Sequence, residues 1–386
     1  MIKWINFLHF YQPGTVTDAM VIQIAKECYE SWVDFLFKHK NLKITINISG
    51  CLTERLHNLG YKKLLKSFSV LAMRGQIEFV SSAAFHPILP LLPEKEIIKQ
   101  ILINEQINKK ILGKNYKPKG FFLPEMAYSL KTKKIIKQLG FKYIILDQIS
   151  YNGNLKSQIN NNIKYKTPDG LLIVFRNRKI SQTFVPKTIL NLLKQNISQK
   201  QATIITATDG ELYGHRYWNW WTDYIKTIKH KDIKTSTVSE YLKTIKNEKI
   251  IKPVASSWES TEKELQNNTP FALWQNPKNI IHKKLWQLAD FALKLNYKNE
   301  KDINHFASRL HLEKGLASCS FWWASNKNFK LFSPRAWGPS MVEKGATELL
   351  MSVRSLNKIN SNQKLLAEKL FSEIRNLIWK KHWKKK

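Results

Sequence analysis

Thr203-Ile-Ile-Thr-Ala-Thr-Asp-Gly-Glu-Leu-Tyr-Gly-His-Arg-Tyr-Trp-Asn-Trp-Trp221 is the stretch on which the fold turns. It opens as a short apolar, β-branched run, the pattern of a strand buried on both faces. The run breaks at Asp209-Gly210-Glu211, where a glycine permits a tight turn. Carboxylates at a strand end, beside aromatic faces, are the parts needed to hold and cleave a sugar. An isolated Asp-Gly, by contrast, is only a turn. What separates the two readings is whether other strands end the same way.

Several do. The pattern predicts strands over Ile2–Leu8, Leu42–Ser49, Gly75–Val80, Lys119–Leu123, Lys142–Leu146, Leu171–Phe175 and Thr203–Thr208. Apolar residues recurring at threes and fours predict helices between them, over Asp18–His39 and Glu94–Leu112 and from Ser129 to Gly140. Tyr151–Asp169 is polar and rich in Asn, Lys and Gly, and reads as a loop or insertion. From about Asn219 the chain reads as mostly helical. Short buried strands alternating with helices call for a parallel sheet with helical crossovers. His9, His86, Glu125, Asp147, Arg176 and Asp209 all fall at or just after a strand's C-terminal end. A (β/α) barrel builds its site at that face from many strands, whereas an open sheet concentrates it at one switch point. The expectation is an incomplete seven-stranded (β/α)7 barrel over residues 1–250, followed by a C-terminal helical region over 251–386 that contributes to the cleft.

Composition bounds the partners. The 386 residues are 43% hydrophobic with 13 Trp, ample for a large core. No run of about 18 apolar residues appears, so no membrane span is expected. The chain enters its first strand at once, and its three cysteines are odd in number and scattered, so a reduced, cytoplasmic protein without disulfides is expected. The net charge of +34 suits polyanions in principle. The lysines, however, are spread over nearly every predicted helix, and the densest run, Trp379–Lys386, is a tail. A dispersed charge is a solvated surface rather than a nucleic-acid groove.

Glu125 follows Gly120-Phe-Phe-Leu-Pro124, and a glutamate directly after a buried strand is held rigidly, as a nucleophile or general acid requires. In a ring of seven strands the ends of the fourth and seventh face one another across the mouth, which sets Glu125 opposite Asp209. Two carboxylates flanking a cavity are the minimal machinery of glycoside cleavage.

At these residues the chain resembles glycoside hydrolase family 57. His9-Phe-Tyr-Gln-Pro13, Gly75-Gln-Ile-Glu78 with Phe85-His-Pro-Ile-Leu-Pro90, Gly120-Phe-Phe-Leu-Pro-Glu125, Asp209-Gly-Glu-Leu-Tyr-Gly214 and Ser320-Phe-Trp-Trp-Ala-Ser325 are similar to the five family motifs, in order. The resemblance implies a retaining hydrolase or glucanotransferase on α-linked glucans, with Glu125 as nucleophile, Asp209 as general acid/base, and neither cofactor nor metal. It implies sugar contacts at His9, Gln12, Glu78, His86, Glu211, Trp221, Trp322 and Trp323, with Glu211 an alternative acid should Asp209 point away. Arg176 or His9 is expected to supply positive charge beside Glu125.

Two departures bear on specificity: Tyr11 stands where the family commonly has a second histidine, and Met126 where an arginine often follows the glutamate. The residues leave two rivals. A metal-dependent polysaccharide deacetylase needs a histidine pair at ligand spacing, and His-x-x-x-His is absent. A non-catalytic carbohydrate- or polyanion-binding barrel needs no carboxylate pair.

Overall fold

The structure is a computed structural model that describes residues 1–195, 202–328 and 335–384. Lys385 and Lys386, at the end of the lysine-rich tail, lie outside the described residues. Contacts divide the chain into two compact units. One comprises Met1–Gln12, Val16–Ala84 and Leu89–Trp258, the other Pro13–Thr15, Phe85–Ile88 and Glu259–Lys386.

Ten strands are formed by the described residues: β1 Ile2–Phe10, β2 Ile44–Ile48, β3 Ile77–Phe79, β4 Gly120–Phe122, β5 Tyr143–Asp147, β6 Lys164–Lys166, β7 Leu172–Arg176, β8 Ala202–Asp209, β9 Ile233–Thr235 and β10 Glu248–Ile250. Seven are the expected strands. One ladder runs β3-β2-β1-β8, another includes β7-β5-β4, and all of these pairings are parallel. Ser81, just past β3, joins the two by donating to Gly120 O at 2.9 Å and accepting from Phe122 N at 2.8 Å. On the other side Asn177, just past β7, donates to Ile205 O of β8 at 2.8 Å. The order β8-β1-β2-β3-β4-β5-β7 is therefore cyclic, with a thinned ladder at two seams, as an incomplete (β/α)7 barrel requires.

Alternation along each strand fills the interior. Ile5, Phe7, Phe122, Ile145, Val174, Ile205 and Ala207 form one apolar cluster, and Val238, Tyr241 and Leu242 of the helix Val238–Thr244 pack into it. Gly120 is obligatory here, because a Cβ would run into the Tyr143 ring.

Three strands differ from expectation. β6 lies inside the stretch expected to be a loop and pairs antiparallel with β7. β9 and β10 interrupt the part expected to be helical. Each spans three residues, too short for a period to show, and β10 is exposed along its whole length. The helix expected over Asp18–His39 is helical as Asp18–Ile24 and Ser31–Lys38, with a π-helical turn at Ala25–Glu30.

The second unit is helical. Ile280–Lys298, His305–Gly315, Pro339–Ser355 and Ser361–Trp383 are its long helices. Gly315 and Gly345 allow close crossings, since a Cβ would strike Leu349 from the first and Ser320 from the second.

Candidate active site

The top interior layer of the barrel is polar. By register His9 of β1 stands beside Asn47 of β2 and Asp209 of β8, and Asp147 of β5 beside Arg176 of β7. Glu125 belongs to the turn Pro124–Met126 directly after β4. In the cyclic order β4 and β8 are separated by β5 and β7 one way, and by β1, β2 and β3 the other. Glu125 and Asp209 thus rise from opposite sides of the ring.

Glu125 is held in an unusual conformation. Its φ is 57° and that of Met126 is 49°, a left-handed pair that non-glycine residues seldom adopt. The segment Val254–Trp258 maintains it. Tyr128 N donates to Ser256 O at 2.8 Å and Trp258 N to Glu125 O at 3.1 Å. The Trp258 indole Nε1 donates to Glu125 Oε2 at 2.7 Å, and both side chains are buried. Met126 turns into the apolar cluster, so the position where the family often carries arginine is core in this chain.

Behind Trp258 stands a buried charge cluster. Asp147, wholly buried, accepts from Arg176 Nε at 2.6 Å and from Arg178 Nε at 2.7 Å. Arg176 also donates to Ala207 O at 2.9 Å and to Trp258 O at 3.3 Å, and its guanidinium carbon lies 5.0 Å from the centroid of the Trp258 ring. A buried carboxylate facing two guanidinium groups is neutralised and rigid. Asp147 is therefore an anchor rather than a reacting acid.

His9 is buried, and its Nδ1 lies 2.8 Å from Asn47 Oδ1. Burial pushes its pKa down to about 4, with the Asn47 contact opposing. The imidazole is neutral near pH 7, which corrects the expectation that it supplies positive charge beside Glu125. Its ring lies 4.6 Å from Phe122 and stacks on Tyr11 at 5.9 Å.

Asp209 starts a turn that glycines fit against its neighbours. Gly210 N donates to His9 O at 2.7 Å, and a Cβ at Gly210 would run into the Phe10 ring. Gly214, at φ 99°, passes so close to the Glu27 carbonyl that a Cβ would overlap it. Glu211 turns toward the π-helical turn, where its Oε1 accepts from Tyr29 OH at 2.6 Å and from Tyr11 N at 3.0 Å. Burial, then the charge of Asp209, pushes its pKa up to about 8. Glu211 keeps its proton near pH 7 and stands two positions from Asp209. Gln12 reaches the same Tyr29 side chain.

Two expected sugar contacts stand elsewhere. Glu78 shares a row with Thr45 and Phe7, two rows short of His9, or about 7 Å nearer the barrel floor. There it accepts from Tyr143 OH and Ser239 N, each at 2.8 Å, and from Ser239 Oγ, so it caps the start of the helix Val238–Thr244. Trp221 lies in the outer helical layer, edge-on to Phe35 at 4.8 Å with Lys38 Nζ 5.2 Å from its ring centroid. The helical period explains this placement, since the neighbouring positions Trp220 and Tyr224 take the inward face.

His86, Trp322 and Trp323 belong to the helical unit. His86 has φ 57°, and its Nδ1 lies 3.0 Å from Ser318 Oγ. In the motif Ser320–Ser325, Phe321 is core, stacked on Trp286 at 4.4 Å. Trp322 and Trp323 are half-buried and meet edge to face at 4.5 Å.

Sequence reasoning missed Trp258 and Tyr29. Trp258 is 133 positions from Glu125, and no periodic element marks it. Tyr29 has helical spacing and reads as core. The Arg176-x-Arg178 spacing, which puts two guanidinium groups beside a strand-end aspartate, was the one available signal for the Asp147 cluster.

A ring of parallel strands with carboxylates at opposite C-terminal ends defines a (β/α)-barrel protein with its candidate site at that face. Among such proteins the chain belongs to glycosyl hydrolase family 57, whose profile matches residues 9–253. Alpha-amylase 1 of Dictyoglomus thermophilum is 33% identical over 158 residues, 39% of this chain and 22% of that protein. A putative alpha-amylase of Methanocaldococcus jannaschii is 25% identical over 311 residues, 74% of this chain and 64% of that protein. The matched stretches thus span between about a fifth and two thirds of these relatives' length. In fold, the chain resembles the 4-alpha-glucanotransferase of Thermococcus litoralis, with a TM-score of 0.72 at 17% identity, covering 93% of this chain and 61% of that one. It also resembles a family 57 branching enzyme of Thermococcus kodakaraensis, with a TM-score of 0.71 at 14% identity, covering 97% and 94%. No helix of the described residues is long and apolar enough to cross a membrane.

Proposed function

We propose that the chain is a retaining glycoside hydrolase or glucanotransferase acting on α-linked glucans. What supports this reading is that Glu125 and Asp209 stand at the C-terminal ends of strands on opposite sides of one ring, with Glu125 clamped by Trp258. Glu125 attacks the anomeric carbon as the bond to the glycosidic oxygen breaks, and Asp209 gives that oxygen its proton. Asp209 then takes a proton from water or an acceptor hydroxyl, whose oxygen displaces Glu125 from the sugar. This chemistry needs the carboxyl groups about 5–5.5 Å apart.

His9, Gln12 and Tyr11 surround the same mouth as neutral hydrogen-bonding partners, and protonated Glu211 joins them through Tyr29. Trp322 or Trp323 offers an indole of the kind that stacks on the apolar face of a glucose ring. Water and acceptor sugar compete for one covalent intermediate, so hydrolysis and transfer are two outcomes of the same site. The buried thiols of Cys28 and Cys51 suit the reducing cytoplasm as its place of action.

The test is incubation with a fluorinated glucosyl donor, peptide mapping of the trapped protein, and proton NMR of the products from maltooligosaccharides. The sugar is expected on Glu125 and the product anomer retained. A label on Glu211, or an inverted anomer, would sink the assignment.

A further inference from the structure

One residue holds both the backbone and the carboxylate of Glu125. Trp258 is the last residue of the barrel unit, and it grips Glu125 twice, by its backbone N–H on the carbonyl and by its indole N–H on Oε2. Together the two contacts fix the left-handed backbone of Glu125 and the rotation of its carboxylate.

Arg176 grips Trp258 in turn. Its guanidinium lies on the indole face, and Nη2 donates to the Trp258 carbonyl. Its Nη1 holds Ala207 O, two residues before Asp209 on β8. Asp147 binds the remaining Nε, and Arg178, held by the same Asp147, reaches Ser257 O at 3.2 Å. One buried guanidinium therefore touches both the strand that carries Asp209 and the residue that aims Glu125.

We propose that Trp258 and Arg176 are positioning residues forming a strut that sets the attack geometry of Glu125 relative to Asp209. This rests on the proposed roles of those two carboxyls. An indole N–H on a buried carboxylate is a charge-assisted hydrogen bond. Losing it while most of the ring is kept misaims the nucleophile. The cost then falls on the chemical step rather than on substrate binding.

The test compares wild type with Trp258→Phe and Arg176→Lys. Phenylalanine keeps most of the packing but has no N–H. Lysine keeps the charge but cannot hold Ala207 O, Trp258 O and Asp147 in one plane. Each variant is assayed below its own melting temperature for kcat and KM on a maltooligosaccharide and for the rate of covalent labelling by a fluorinated glucosyl donor. The expected result for Trp258→Phe is a loss of kcat of about 10- to 100-fold, an equal loss in labelling rate, and an unchanged KM. Arg176→Lys is expected to lower the same two rates by about 10-fold. Wild-type labelling rates in both variants, or a rise in KM with kcat retained, overturn the strut. Failure of wild type to be labelled on Glu125 overturns the proposed mechanism, and the strut with it.

Discussion

Glu211 offers a measurement that needs no substrate. Its carboxyl titrates near 4.5 when unperturbed and at about 8 in the folded chain, first because it is buried and second because Asp209 faces it. The titratable groups around it are Asp209, Tyr29 and Cys28. A raised carboxyl pKa means that the folded state holds more protons than the unfolded state between those two values. Stability must then fall as pH rises through that window, and level off above about 8. Moving one carboxyl that far has a ceiling of about 5 kcal/mol, at about 1.4 kcal/mol per pH unit. The residue keeps partial access to water, which screens the charge, so a share of about 2–3 kcal/mol is expected.

Glu211→Gln keeps an oxygen for the Tyr29 hydroxyl and the Tyr11 N–H but cannot ionise. Urea unfolding of both proteins, followed by tryptophan fluorescence, should show the variant gaining about 2–3 kcal/mol on wild type between about pH 5 and pH 9. Titrating groups that do not face Glu211 are common to both proteins and drop out of the difference. A flat difference would refute the reasoning. So would one of opposite sign, which would mean that Glu211 is ionised in the folded chain and stabilised there.

Three further outcomes follow from the same contacts. Asp147→Ala strands two buried guanidinium groups and should cost about 3–5 kcal/mol in chemical unfolding; a cost under about 1 kcal/mol would mean the cluster is solvated. Gly210→Ala drives a methyl into the Phe10 ring and should destabilise by about 1–3 kcal/mol while displacing Asp209, so a fully active, equally stable variant would contradict the close approach. Turnover of neutral oligosaccharides should be nearly insensitive to moderate salt, because an uncharged substrate gains nothing from a field of +34, and a steep fall with folding intact would give the charge a role.

The strands of the barrel were legible because each is a short apolar run that stops at a polar or charged residue. That local contrast survives any tertiary context. The candidate site was legible only where chemistry and strand end coincide, as at His9, Glu125 and Asp209. Glu78 shows the limit. It too sits on a strand, and a sequence does not say at which height of the barrel a side chain stands until the register with Thr45 and Phe7 is known. The π-helical turn at Ala25–Glu30 was hidden for a related reason, since one extra residue barely disturbs an apolar period yet faces Cys28 and Tyr29 toward Gly210 and Glu211.

Charge assignments were the least legible of all, because they depend on burial rather than on residue type. His9 was one of two candidates for the positive charge beside the nucleophile and is neutral, whereas Glu211, an alternative acid by sequence, keeps its proton near pH 7. Both shifts arise mainly from desolvation, and both remove charge from the rim around Asp209. The buried positive charge of Arg176 and Arg178 is matched to Asp147, and Arg176 lies against the face of the Trp258 indole whose N–H holds Glu125. A neutral polyol meets neutral donors and acceptors at such a rim. In the proposed mechanism the ionic groups are reserved for the bond that breaks. On the proposed function, this division lets a chain of +34, its lysines mostly spread over the surface, carry a site suited to an uncharged glucan.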